Sequence, residues 1–535
     1  MMITSLWLIL LLSLAFLLVS HLPHHDVKPT SASHQINDCN CNTTRVVISD
    51  KVYQHGIQSD FLSFTIDSSQ VNQLANSNFW TSPLVRNLAK ALAPAYLRVG
   101  GTQQDYTDYQ GSAVDILPPI PSQATLNVTT FQLIVDFCQA VGWKFVFGIN
   151  AVSHRNSFTN QWDPNQFITL LDYVALNNIS LAGWELSNEP DLKCMAENGS
   201  ETHQCEHQPP RQEELLIPPA NLAQDFQLLR LLLDAKLGSG ESILGPDVTP
   251  AGLAYYARPF LANLSFQINA LTWHHYYGPG SGRPNALVEA NFSQPAILDR
   301  FMDNAASALQ LYWQNLPIIS KLWLGETSST YGGGTSNVSN GFVAGFLWLD
   351  KLGLASLFQT EVVCRQVFAQ ARYSILGTDN LPNPDYWTSV LWKRLVGNSR
   401  VLFVKQGLDY DRSVRSYAYC GSSGEDVTVA ILNTLETEHA VKFVIPSVAN
   451  QSRSMTIYLF TSYPGVLSSR DTFLNQQVLR LVNESSGELP DLNGRQVSGW
   501  KLTMPAKSYG YVVLHHVNLP SCTEKLKSIV TTSSH

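Results

Sequence analysis

Apolar runs of strand length alternate with longer runs of helical period from residue 61 to residue 396. The strand-like runs are Phe61–Asp67, Ala95–Gly101, Lys144–Asn150, Leu181–Glu189, Ser242–Asp247, Ala270–Tyr277, Lys321–Thr327 and Glu361–Phe368. Near-continuous apolar character over that length predicts strands covered on both faces. Between them the pattern predicts helices over Pro83–Ala93, Thr129–Val141, Pro164–Asn177, Pro219–Leu237, Ala254–Asn263, Ala296–Gln314 and Asn340–Leu352, with Asp385–Val396 after the last strand. Eight such repeats predict a closed parallel barrel, the (β/α)8 TIM architecture, rather than an open doubly wound sheet. Gly100-Gly101 lacks the GxGxxG spacing of a nucleotide loop and reads as a tight turn.

From Val401 the texture changes to short alternating runs, Arg415–Cys420, Val427–Asn433, Val441–Ile445, Met455–Phe460 and Tyr509–His515, separated by turn residues. This predicts an appended C-terminal β-sandwich. The domain reading is a signal peptide or signal anchor over 1–20, a polar stalk over 21–44, the barrel over 45–398, the sandwich over 399–520 and a disordered tail over 521–535.

The N-terminal segment changes the expected compartment. Leu6–Val19 is apolar except for Ser13, about the length of a signal-peptide core and short of the roughly 20 residues of a membrane span. Met1–Ser5 carry no Lys or Arg and no small-x-small cleavage site follows, so a cleaved signal and a retained membrane anchor both stand. Either predicts entry to the secretory pathway, with a secreted, extracellular-matrix or lysosomal destination. Sequons at Asn42, Asn127, Asn178, Asn198, Asn263, Asn291, Asn337, Asn450 and Asn483 agree with a glycosylated surface. Among the eight cysteines, Cys194 and Cys205 bracket a polar loop they could close, and Cys420 and Cys522 could tie down the C-terminal region. Cys138 and Cys364 fall on apolar faces and read as buried free thiols. A net charge of −8 gives no reason to expect a nucleic-acid partner.

Two strand ends carry the chemistry. LAGWELSNEPDL places Asn188 and Glu189 where a buried strand opens into a loop, and KLWLGETSSTYGGG does the same with Glu326. Side chains at the C-terminal ends of barrel strands share one mouth. Two carboxyls there are the minimum for hydrolysing a glycosidic bond, one protonating the leaving oxygen and one attacking the sugar carbon. A lone Asn-Glu is a weak signal; recurrence at equivalent places in the repeat, beside the strand end Trp273-His274-His275-Tyr276-Tyr277, strengthens it. A metal site built from His274 and His275 is disfavoured because strand neighbours point to opposite faces, and no cofactor is called for.

The motifs FLSFTID, AYLRVGGT, WELSNEP, LGPDV, LTWHHYY, LWLGETSSTYGGG, GFLWLDKLGLA, VVCRQVF and PDYW, in that order over Asp60–Val517, resemble the heparanase-like glycoside hydrolases of family 79. The resemblance implies a retaining β-glucuronidase with a barrel and an appended β-sandwich. It implies Glu189 as general acid/base, Glu326 as nucleophile, and Asn188 as donor to the sugar 2-hydroxyl. It further implies Tyr276 beside the nucleophile, His274 at the barrel mouth, and Gly332, Gly333 and Tyr373 receiving the glucuronate carboxylate. Asp67, Thr102 and Gln366 match positions lining the sugar cleft. Arg372 stands where the animal enzymes carry a small glycine near the carboxylate subsite. Those enzymes also carry a long excised segment, flanked by basic residues, after the second strand; between Arg98 and Lys144 this chain has no Lys or Arg. The resemblance thus implies an endo-acting enzyme on heparan sulfate, active as one polypeptide. Hyaluronan cleavage and exo-action on small glucuronides remain alternatives. The contrasting class is a noncatalytic glycosaminoglycan-binding protein, which should have lost a catalytic carboxyl.

Overall fold

The computed structural model describes residues 43–523 except 111–123, 154, 157, 196–201, 205–209, 212–213, 407–411 and 449–452. The signal or anchor segment Leu6–Val19, Asn42, Asn198, Asn450, Cys205 and most of the predicted tail lie outside the described residues. Among those described, no helix is long and apolar enough to cross a membrane.

The first strand, β1 (Thr43–Ile57), precedes a closed barrel of β2 (Leu62–Asp67), β3 (Ala95–Gly100), β4 (Trp143–Ile149), β5 (Gly183–Leu186), β6 (Ile243–Val248), β7 (Ala270–His275), β8 (Leu322–Thr327) and β9 (Val362–Arg365). Each barrel strand pairs in parallel with its sequence neighbours, and β9 closes on β2 through Val363–Leu62 and Arg365–Phe64. These strands are buried along nearly their whole length, as their continuous apolar runs require. Helices α1 (Pro83–Lys90), α2 (Val128–Val141), α3 (Asn165–Leu176), α4 (Pro219–Leu237), α5 (Arg258–Ala262), α6 (Arg300–Gln314), α7 (Ala344–Leu357) and α8 (Pro384–Leu395) follow the eight strands in turn. Local signals set their ends: Asn127 Oδ1 accepts from Thr130 N at 2.8 Å to cap α2, and Gly142 closes it in the left-handed region.

The C-terminal unit is a sheet of eleven strands, with β10 (Ser399–Gln406), β11 (Val414–Cys420), β12 (Val427–Asn433), β13 (His439–Val444), β14 (Ser454–Ser462), β15 (Lys501–Met504) and β16 (Ser508–Leu514) as its main members. Phe443 and Leu502 near one end of the strand order share an apolar core with Met455 and Val512 towards the other. The sheet therefore curls over its own core in the manner of a sandwich. Its other face packs on the barrel. Tyr509 donates to the Phe342 carbonyl and Tyr511 to the Thr388 carbonyl, while Arg415 pairs with Asp350 inside α7. Gly345 and Gly353 make this approach possible, since a Cβ at either would lie 2.0 Å from Tyr509 Oη or 2.2 Å from Tyr417 Cδ2.

Two expected boundaries are corrected. The span 45–398 does not begin with barrel: β1 runs antiparallel to β10 and parallel to β13, with Thr43 and Thr44, read as stalk, opposite Ala440 and Val441. Val46 and Ile48 supply the reason, for both are fully buried in the sheet core. At the other end, Pro520–Thr523 form a helical turn held by a Cys420–Cys522 disulfide, so the expected tail does not start at Ser521. Cys194 is disulfide-bonded, and Cys138 and Cys364 are buried free thiols. Of the described sequon asparagines, Asn127, Asn178, Asn263, Asn337 and Asn483 are exposed and Asn291 is half-buried.

Candidate active site

A cleft of about 680 Å³ opens at the C-terminal ends of the barrel strands, within the roughly 300–1,000 Å³ usual for ligand sites. Asp67, Thr102, Asn188, Glu189, His274, Tyr276, Glu326, Gly332, Gly333, Gln366 and Tyr373 all line it, although they come from six different strand ends.

Backbone irregularity aims these side chains. Beyond β5 the chain turns sharply, with Ser187 at φ +74° and Glu189 at φ +46°, a region non-glycine residues seldom adopt. The turn is held by Ser187 N donating to the Ile149 carbonyl and Glu189 N donating to the Asp247 carbonyl. Between β7 and β8 the register slips after Trp273, which sets His274 opposite Glu326 and His275 opposite Thr327. Such slips re-aim side chains at barrel rims.

Glu326 is held from both sides. Tyr276 Oη donates to its Oε1 at 2.6 Å and Arg98 Nη1 donates to its Oε2 at 3.1 Å. Burial pushes its carboxyl above the ordinary range, against the opposing pull of His274 and Arg98. Glu189 is the more open of the two, its side chain 20% exposed against 9% for Glu326, so it faces the side from which solvent enters. One carboxylate oxygen of each and a ring nitrogen of His274 lie within 4.8 Å of one another.

His274 joins the two walls of the cleft. Its Nδ1 meets Glu189 Oε1 at 3.0 Å and its Nε2 meets Asp247 Oδ1 at 3.2 Å. Burial alone would discharge the ring, but Glu326, Asp247 and Glu189 outweigh it and push its pKa up to about 10. The ring is therefore an imidazolium donating from both nitrogens. His275 turns away, buried against Phe301 and Tyr277 with ring centroids 4.9 Å from each, and burial drives its pKa well down.

Beneath the cleft Arg98 holds the Asn188–Glu189 loop, its Nη2 donating to Asn188 Oδ1 at 3.1 Å. Asn188 also lines the cleft. Asp105 accepts from the Asn188 N–H at 2.9 Å and from Ser187 Oγ at 3.2 Å, and pairs with the buried Lys193, which also donates to the Asn188 carbonyl. On the opposite wall Gln366 Nε2 donates to Asp67 Oδ2 at 3.2 Å.

Gly332 and Gly333, at φ +79° and +88°, adopt a turn that L side chains resist. A Cβ on Gly332 would also lie 2.3 Å from Arg283 Nε, so the loop passes directly under that guanidinium. Arg372 is exposed and is not among the residues lining the cleft.

Sequence reasoning did not single out Arg98, Glu185, Asp247, Asp105 or Lys193. The signal was available for three of them: AYLRVG, WEL and ILGPDV each carry one charge inside an otherwise apolar strand. A charge in that setting needs a buried partner.

The chain matches the description "Glycosyl hydrolase family 79, N-terminal domain" over residues 64–204 and 215–353. Mouse heparanase is 31% identical, covering 87% of this chain and 92% of its own. Hyaluronoglucuronidase from Hirudo nipponia is 28% identical over 89% and 99%, and inactive heparanase-2 from Homo sapiens is 25% identical over 87% of each. Among solved structures, the GH51 arabinofuranosidase from Xanthomonas axonopodis pv. citri shares the fold at a TM-score of 0.64 and 12% identity, covering 89% of this chain and all of its own. By its family match and by its likeness to heparanase across most of its length, this chain belongs to glycosyl hydrolase family 79, the glycoside hydrolases.

Proposed function

We propose that the chain is a retaining β-glucuronidase that cleaves within a glucuronate-containing glycosaminoglycan, heparan sulfate first. The observation that carries this reading is the Glu189–Glu326 pair, two carboxyls within 4.8 Å through their nearer oxygens, where a retaining mechanism needs carboxyls about 5 to 5.5 Å apart and an inverting one needs room for a water between them.

In the first step Glu326, oriented by Tyr276 and Arg98, attacks the anomeric carbon as Glu189 transfers its proton to the departing glycosidic oxygen. The C–O bond to the leaving chain breaks and a glycosyl ester to Glu326 forms. In the second step Glu189, now ionised, takes a proton from water, whose oxygen displaces Glu326 and regenerates both carboxyls. Asn188 Nδ2 donates to the 2-hydroxyl. The N–H groups of Gly332 and Gly333 with Tyr373 receive the glucuronate carboxylate, and Arg283 above the loop adds positive charge there.

The contrasting reading, a noncatalytic glycosaminoglycan-binding protein, has in its favour that relatives named inactive exist at 25% identity. Against it stands a site with both carboxyls present and each held in a defined orientation. The Cys420–Cys522 disulfide and the exposed sequons support passage through the secretory pathway to a secreted or lysosomal destination.

The test is product analysis on heparan sulfate, hyaluronan and an aryl glucuronide, with the anomer of the first-formed product read by NMR. Retained β product and internal cleavage of heparan sulfate are expected; inverted product, or no turnover of any glucuronide, overturns the reading.

A further inference from the structure

The floor of the cleft contains two carboxyl oxygens that receive no hydrogen bond. Glu185 Oε2 accepts from Arg98 Nε at 2.5 Å, and Asp247 Oδ1 accepts from His274. The other oxygen of each, Glu185 Oε1 and Asp247 Oδ2, is buried without a hydrogen bond, although Asp247 Oδ2 lies 3.5 Å from Arg98 Nη2 as an ion pair. Both carboxyls sit against the one Arg98 guanidinium, Glu185 on its Nε and Asp247 on its Nη2, which brings them side by side. Two ionised carboxylates side by side in so buried a place repel each other at high cost even with Arg98 between them, whereas a single proton shared by them turns the repulsion into a hydrogen bond.

We propose that Glu185 and Asp247 share one proton, resident on Glu185, and that Glu185 is thereby a neutral positioning residue that fixes Asp247 and, through it, His274 and Glu189. The proposal rests on the reading of Glu189 and Glu326 as the reacting pair. Charge balance supports it. Arg98 and His274 bring two positive charges into the floor, and Asp247 and Glu326 bring two negative ones when Glu189 is poised as acid. A charged Glu185 would leave a buried excess negative charge; a protonated one leaves none.

The proton has a defined owner because the surroundings are unequal. Glu185 on β5 faces Arg98 from β3, Asp247 from β6 and the Cys364 thiol from β9; His274 from β7 faces Asp247, and Glu326 from β8 faces Arg98. Burial raises Glu185 to about 8, with Arg98 opposing and Asp247 adding to the rise. Burial also acts on Asp247, but Arg98 and His274 together outweigh it and hold that carboxyl down at about 2. Asp247 thus stays an acceptor for both the Glu185 proton and His274.

The arrangement differs from an ordinary buried salt bridge in what a glutamine does to it. In Glu185→Gln the amide N–H donates to Asp247 Oδ2 in place of the carboxyl proton, and the amide oxygen still accepts from Arg98. A structural ion pair would lose its charge in that variant; a protonated Glu185 loses nothing. The experiment is an infrared difference spectrum, wild type against Glu185→Gln, at neutral pH, paired with thermal melting and the kcat–pH profile. Expected are a protonated-carboxyl C=O band present in wild type and missing in the variant, an unshifted melting temperature and an unshifted alkaline limb. Asp247→Asn, which takes the negative charge from His274, is expected to move that limb and to lower kcat on the order of a hundredfold. Absence of the carboxyl band, or a Glu185→Gln chain that fails to fold or shifts the limb as Asp247→Asn does, overturns the proposal. The infrared band is read without turnover, so an inactive wild type would refute the glucuronidase reading while leaving the shared proton to stand or fall on its own.

Discussion

Tyr276, just beyond β7, and Glu326, in β8, are joined by a 2.6 Å hydrogen bond from the phenol to Oε1, while Arg98 holds the other oxygen. Neither donor is hydrogen-bonded to Glu189, but Arg98 also holds the neighbouring Asn188, so one guanidinium ties the two strand ends together. Tyr276→Phe is expected to lose one hydrogen bond to a charged group, about 1.5–3 kcal/mol, which is roughly ten- to a hundredfold in kcat. KM should change little, because the bond is made to the enzyme rather than to the sugar. Steady-state kinetics on an aryl glucuronide checks this; an unchanged kcat would remove Tyr276 from the mechanism.

The distribution of burial explains how far the sequence could be read. Barrel strands and their helices were legible because each buries a run long enough to show its period, and Glu189 and Glu326 stood out as polar residues ending such runs. Strand β1 was not, since its alternation buries only every second residue and its partners lie more than 300 residues away, as in Val46 opposite Gln406. The floor carboxyls were hidden for another reason. Glu185 shares the WELSNEP motif with Asn188 and Glu189 while Asp247 sits in LGPDV on another strand, and that they come together depends on three-dimensional closure of β3, β5 and β6 around Arg98, which no local pattern encodes.

The two carboxyls should separate by chemical rescue. With Glu326→Ala, azide can occupy the nucleophile's place and attack the anomeric carbon directly, so an activated substrate should yield an inverted glycosyl azide. With Glu189→Ala the glycosyl-enzyme still forms from an activated leaving group, and azide should release it with retained configuration. NMR of the azide products distinguishes the cases, and the same anomer from both variants would reverse or void the assignment.

Activity and stability should answer pH differently. Turnover needs Glu326 ionised and Glu189 protonated, and burial raises Glu326 above the ordinary glutamate value of 4.5, so the acid limb should lie above that value. The optimum is expected on the acidic side of neutrality; a rate still climbing well above neutral pH contradicts the roles. For stability the sign follows from His274. Its folded pKa of about 10 lies above the ordinary 6.5, so its contribution is fully present below about 6.5 and is lost as pH rises through about 10. Melting temperature should fall across that window, and His274→Gln should flatten the fall.

Binding of sulfated chains should rest on few cations. Of four arginines that could supply charge at the rim, Arg155 is paired with Asp225, Arg211 with Glu214, and Arg258 reaches Gln314; Arg283 alone of these lines the cleft. Lys193 also lines it but is engaged by Asp105 and the Asn188 carbonyl. The stretch between Arg98 and Lys144 adds no Lys or Arg, where animal heparanases carry the basic residues that flank their excised segment. Heparin affinity is therefore expected to be modest and steeply lost with salt, and Arg283→Ala should lower the slope of log affinity against log salt by about one unit while raising KM more than it lowers kcat. The same absence of a basic excision boundary predicts that the chain, expressed from about His34, is active as one polypeptide. Affinity titrations at several salt concentrations, with activity compared before and after limited proteolysis, check both points. Tight binding that survives high salt, or activity gained only by cleavage between Tyr106 and Thr130, would show that a cationic surface or a processing step outside the described cleft governs access.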